Sequence, residues 1–137
     1  MFNRILVAID LAHGAKGEAL ISKAMELLDK GGEMILLNAV EDAPGYIAAE
    51  LPANIYTQKL DEAQERLEAL ARANNVTARV EVRKGRNPAA SILDEAEESS
   101  CDLVMIASHR PGLQDYFLGS TAGRVVRHAQ CSVLVMR

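Results

Sequence analysis

Cysteine is scarce in this sequence. Cys101 and Cys131 are the only two among 137 residues, 30 positions apart, and form no CxxC pair. That spacing argues against a zinc site and against a disulfide framework. Both are read as small, half-buried residues ahead of strands in a reducing cytoplasm. Positive charge is also short: 15 Lys and Arg stand against 19 Asp and Glu, a net charge of −4. The balance argues against nonspecific nucleic-acid binding, so any phosphate recognition must be local. No apolar run approaches the roughly 18 residues of a membrane span. The start, Met1-Phe2-Asn3-Arg4-Ile5, runs into a strand-like stretch without a signal-peptide pattern, and a cytoplasmic location is expected. Internal repeats, low-complexity tracts and a second compositional region are missing, so one domain over 1–137 is expected. What is present, 49% hydrophobic and 25% charged residues, describes a folded globular chain with enough length for a core.

Five short apolar runs, at 5–9, 34–40, 76–82, 103–107 and 132–136, predict strands. Four are nearly continuous, the pattern of strands covered on both faces in a parallel sheet. The third alternates Val76, Ala78, Val80 and Val82 with Thr77, Arg79, Glu81 and Arg83, which predicts an edge strand with one wetter face. Helical spacing appears over 15–28, closed by Gly31-Gly32, and over 56–73. A third helix opens at Asn87-Pro88, with Pro in its first turn, and a fourth covers 120–129. Strands alternating with helices predict right-handed crossovers and a doubly wound α/β fold. The expected sheet has five parallel strands in the order 3-2-1-4-5, with two helices on each face. Residues 43–55, with Pro44, Pro52 and Gly45-Tyr46, read as a long loop with a short helical turn, either a lid or partner contact or a plain surface loop.

In such a sheet ligands bind at the carboxyl ends of the strands, where the winding reverses. Three stretches meet there: Ala8-Ile9-Asp10-Leu11, Asn38-Ala39-Val40-Glu41, and the segment after the fourth strand, "ASHRPGLQDYFLGSTAGR". That segment holds Ala107, Ser108, His109, Arg110, Gly112, Gly119, Ser120 and Thr121. Gly119-Ser120-Thr121 opens a helix, whose unpaired amides and partial positive charge form a generic anion site. The alternative is that Ser120 simply caps the helix. Asp10 either accepts from a ribose or adenine donor, or helps hold magnesium, or caps the first helix through the amides of His13 or Gly14. His109 and Arg110 either face phosphate or are solvated loop residues.

"NRILVAIDLA", "ILLNAVED" and "ASHRPGLQDYFLGSTAGRVVRHAQCSVLVMR" together resemble the universal stress proteins over the full length of the chain. The Ser-His-Arg-Pro form is most similar to their bacterial F-type branch. The resemblance implies a Rossmann-like fold of the adenine nucleotide alpha hydrolase type. It also implies a cytoplasmic homodimer of the stress response, paired through the last strand, Ser132–Met136. Many members of the family bind ATP through a G-x2-G-x9-G-[ST] pattern. Gly119-Ser120 matches its end, but Ala107 and Arg110 stand where the first two glycines belong, and the segment is one residue short. Gly112 lies off the pattern, and Ala8 stands where ATP-binding members often have proline. Asp10 matches the family's adenine-contacting acid, and Ala39 its second-strand backbone contact. The expected ligand is therefore ATP, ADP or AMP, with magnesium accompanying it, and Arg110 replaces backbone amides with a charge-assisted contact. The competing reading is an interaction dimer whose pocket no longer takes nucleotide. An adenylating enzyme would carry a Ser-Gly-Gly-x-Asp-Ser segment after the first strand, where Asp10-Leu11-Ala12-His13-Gly14 stands instead. No catalytic set is apparent, and a non-enzymatic role is expected.

Overall fold

The structure is a computed structural model. It describes residues 1–42, 45–50, 52–108 and 118–137, with the side chains of 13, 14, 47, 48 and 53 outside the description. In chain order the elements are β1 (Phe2–Ala8), a 3-10 turn (Leu11–His13), α1 (Gly14–Leu27), β2 (Leu28–Glu41), α2 (Gly45–Ala48) and α3 (Ala53–Ala73). They continue with β3 (Arg79–Gly85), α4 (Pro88–Glu98), β4 (Leu103–Ala107), α5 (Ser120–His128) and β5 (Ser132–Met136). The five strands form one sheet in the order β3-β2-β1-β4-β5, and every pairing is parallel.

Side-chain alternation sends each central strand into two cores. On one face Ile5, Val7, Leu36 and Met105 pack against Leu20, Ile21 and Ala24 of α1 and Leu67 and Ala71 of α3. On the other Leu6, Ile35, Leu37, Val104 and Ile106 pack against Ala89, Ile92 and Ala96 of α4 and Ala122 and Val125 of α5. Two helices thus cover each face. Among the described residues no helix is long and apolar enough to cross a membrane.

Several element boundaries differ from those expected, each for a local reason. Strand β2 starts at Leu28 rather than at 34, and Gly31-Gly32 does not follow a helix directly. The register steps from Phe2↔Leu28 to Arg4↔Glu33, and the surplus β2 residues form an irregularity that holds both glycines. Gly31 has φ 84°, and a Cβ on Gly32 would lie 2.8 Å from the Asn3 carbonyl oxygen. Strand β3 begins at Arg79 rather than at 76, because Val76 serves to close α3. Asn75 takes a left-handed φ of 55°, and the Val76 amide returns to the Ala71 carbonyl at 3.1 Å, a Schellman closure. The end of α4 repeats it, with Ser100 at φ 52° and the Cys101 amide on the Ala96 carbonyl at 2.9 Å. The start of α4 matches expectation: Asn87 caps it, its side-chain oxygen accepting from the Ala90 amide at 2.8 Å. Edge strand β3 turns Val80 and Val82 to the α1–α3 core. Its polar face is not left to water. Arg83 pairs with Glu98 of α4 at 2.9 Å and with the buried Glu95 at 3.3 Å.

Strand β1 starts at Phe2 rather than at 5, since its polar first residues are held by Asp102. That carboxylate accepts from the Asn3 amide at 2.8 Å and the Arg4 amide at 2.9 Å. Burial pushes the Asp102 carboxyl up, but the amides of Asn3, Arg4 and Asp102 itself, with the N-terminal charge, together outweigh it and hold it below its ordinary value. The stabilisation is therefore present above about pH 4 and is lost as pH falls through the lowered folded-state value. An Asp102→Asn variant should melt below wild type at pH 7, and the gap should narrow steadily from about pH 4 to pH 2. Thermal melts across that range check this, and a gap constant with pH would contradict it.

Candidate functional site

The carboxyl ends of β1, β2 and β4 open onto a cleft of about 290 Å³, closed on one side by α4 and reached by the start of α5. Its floor is apolar: Ala8, Leu37, Ile106 and Ala107 from the strands, and Pro88 and Ile92 from α4. Alternation along β2 brings Leu37, Ala39 and Glu41 to this same side. The small side chains of Ala8 and Ala39 leave room that larger residues would fill. Asp10, Asn38, Glu41 and Thr121 are the polar residues of the lining.

Of the positions expected from the sequence, the cleft gathers Ala8, Ile9, Asp10, Ala39, Ala107 and Thr121. Val40 alternates to the opposite face of β2 and is not on its lining. Ser108 is buried and joins three elements. Its amide donates to the Met136 carbonyl at 2.8 Å, its hydroxyl accepts from the Gly119 amide at 3.1 Å, and its carbonyl accepts from Lys16 Nζ at 3.0 Å. His109, Arg110 and Gly112 lie outside the described residues. The alternative that Ser120 caps the helix does not hold: Gly119 is the N-cap, and Ser120 is the first helical residue, exposed and away from the cleft lining. Asp10 accepts from the Ala12 amide at 2.9 Å, so its local bond falls in the 3-10 turn ahead of α1. Sequence reasoning missed Leu37, Pro88, Ile92 and Ile106. The signal for α4 was available, since the helix opened by Asn87-Pro88 follows a parallel strand and must start at the carboxyl end of the sheet.

Two helix starts reach the cleft, and they differ. At α4, Pro88 has no N–H to offer and Asn87 already takes the Ala90 amide. At α5, Gly119 supplies no side-chain cap, so the first-turn amides keep their capacity for an external acceptor. Lys16, bound to the Ser108 carbonyl, brings a cation to the end of β4. The β2 side is the opposite in character. Asn38 Nδ2 donates to the Ile9 carbonyl at 2.9 Å, which fixes the backbone ahead of Asp10 and commits the donor half of the amide. Asp10 and Glu41 add carboxylates there. The cleft is polarised, rich in acceptors by β2 and in donors by α5.

A second cavity, about 250 Å³, lies at the amino end of the sheet, with both cysteines on its wall. Both are free thiols. Burial, then the neighbouring Cys131, pushes the Cys101 thiol up to about 11, which leaves it almost wholly protonated at neutral pH.

The family model described as Universal stress protein family matches residues 1–137. The chain is 32% identical over 141 residues to Universal stress protein A homolog 2 of Coxiella burnetii, covering 99% of this chain and 95% of that protein. Among solved structures, the universal stress protein UspA from Lactobacillus plantarum superposes with a TM-score of 0.69 at 24% identity, over 98% of this chain and 97% of that one. A universal stress protein in complex with cAMP superposes at 0.57 and 20% identity, over 99% and 97%. These two share the fold. With the profile matching from end to end and that fold in place, the chain belongs to the universal stress protein family.

Proposed function

We propose that the cleft binds an adenine nucleotide and that the protein is a regulatory homodimer of the cytoplasmic stress response, its assembly or surface responding to occupancy. The carrying observation is the polarised cleft at the winding reversal: acceptors near β2 suit the donors of base and sugar, and the open start of α5 suits phosphate. Its apolar floor, from Ala8, Leu37, Ile92 and Ile106, suits a purine ring. A relative with this fold has been solved with cAMP, which supports the same ligand class. The described residues gather no group of three metal-binding carboxylate, imidazole or thiol side chains. Magnesium enters this reading as a companion of the nucleotide's phosphates. The role proposed is ligand-dependent regulation without turnover, and no residue is assigned to catalysis. Calorimetric titration with ATP, AMP, cyclic AMP and adenosine tests the reading. Saturable binding of at least one nucleotide, tighter than adenosine, is expected. Heat no different from buffer for all four would overturn it and favour the second reading, an interaction dimer with a closed pocket. That second reading rests on the stretch from the end of β4 onward, where Ala107, only 7% exposed, and Arg110 replace two family glycines.

A further inference from the structure

We propose that Glu41 reads the base: its carboxylate accepts from the exocyclic amine of an aminopurine and so selects adenine over 6-oxopurines. This rests on nucleotide binding in the cleft and names which atom of the base the chain discriminates. Glu41 is the last residue of β2, on the same side as Leu37 and Ala39, and it lines the cleft. Its position is well anchored. Glu41 pairs with Gly85 of β3, where a Cβ would lie 2.7 Å from the hydroxyl of Ser91 on α4, so strand and helix meet here without a spacer. The neighbouring Asp42 carboxylate is taken by Lys84 at 3.6 Å, whereas Glu41 has no ion pair or side-chain hydrogen bond with the described residues.

The electrostatics set the direction of the ligand. Phosphate is repelled from the β2 side by Asp10 and Glu41. At the start of α4 Pro88 has no amide and Asn87 takes that of Ala90, whereas the start of α5 at the other end has no side-chain cap and offers more open amides. The base then lies by β2. There the side chain that the alternation of β2 turns to the cleft is Glu41, and a carboxylate offers acceptors and no donor. An edge that presents an amine satisfies such a group, and an edge that presents a carbonyl sets oxygen against oxygen. AMP and IMP differ at this group, the 6-amine of one being the 6-oxo of the other, with the tautomeric proton at N1 following it.

The test is titration of wild type and Glu41→Gln with AMP and IMP, with thermal melts of both proteins. A glutamine amide donates as well as accepts, so it accommodates the 6-oxo group. Wild type should prefer AMP by about 10-fold, and Glu41→Gln should bring the two within about 2-fold, mainly by tightening IMP. Because Glu41 is exposed, the melts should coincide. Equal AMP-to-IMP ratios in the two proteins would overturn the role of Glu41 and leave nucleotide binding standing. Binding of neither nucleotide by wild type would overturn both.

Discussion

An Ala39→Trp variant is expected to lose nucleotide binding by at least about 100-fold, or about 2.7 kcal/mol, while its melting temperature stays close to wild type. Ala39 is half-buried near the end of β2, with its side chain on the cleft side, and pairs with Arg83 of β3. Its methyl group leaves open the space between β2 and α4 into which a purine would slide. An indole there fills part of a cleft of about 290 Å³ without entering either core. The contrast is Ala107, also on the cleft but 7% exposed and part of the α1–α3 core. A large side chain there would overpack that core, at a cost of typically 1–3 kcal/mol. Loss of binding in both variants, with loss of stability only at Ala107, separates a blocked site from a damaged fold. Calorimetry and circular-dichroism melts make the comparison, and nucleotide affinity retained by Ala39→Trp would place the ligand elsewhere.

The second large effect concerns assembly. Strand β5 is an edge of the sheet, with Val133 and Val135 packed toward one core and Leu134 and Met136 toward the other. All four are only half-buried. An edge strand with apolar residues on both faces and one unpaired row of backbone groups invites pairing with another chain. A twofold axis beside β5 would make that contact isologous, each strand meeting its own copy. Wild type should sediment as a dimer at micromolar concentration, and Val133→Lys should weaken dimerisation about 100-fold and sediment as a monomer. The lysine stem can lie along the half-buried surface with its ammonium in water, so far-ultraviolet circular dichroism should stay native. A monomeric wild type at that concentration would contradict the pairing.

The strand order was readable because four strands are apolar on both faces and the fifth alternates. Continuous runs such as Leu103–Ala107 can be buried only between two layers of helix. Boundaries were less readable where one residue type serves two ends. The Gly31-Gly32 pair reads as a helix stop, yet it lies within the irregular start of β2. Val76 reads as strand, yet it closes α3 behind a left-handed Asn75. Asp10, Ala39 and Thr121 were legible on the cleft lining because each lies at the carboxyl end of a strand, just after one, or in the first turn of a helix there. Pro88 and Ile92 were not, since they come from a helix whose approach to β2 depends on long-range packing across Gly85 and Ser91. Ser120 illustrates the limit of a motif. The Gly-Ser step marks the helix start correctly, but helical geometry turns Thr121 toward the cleft and leaves Ser120 exposed.

Diffraction from crystals grown with saturating AMP would test the central claim most directly. The account predicts a purine against Leu37 and Ile92 with its amine toward Glu41, and the phosphate at the first turn of α5 beside Thr121. An empty cleft with AMP bound at another surface, or AMP in the reverse direction with its phosphate at the β2 side, would contradict it.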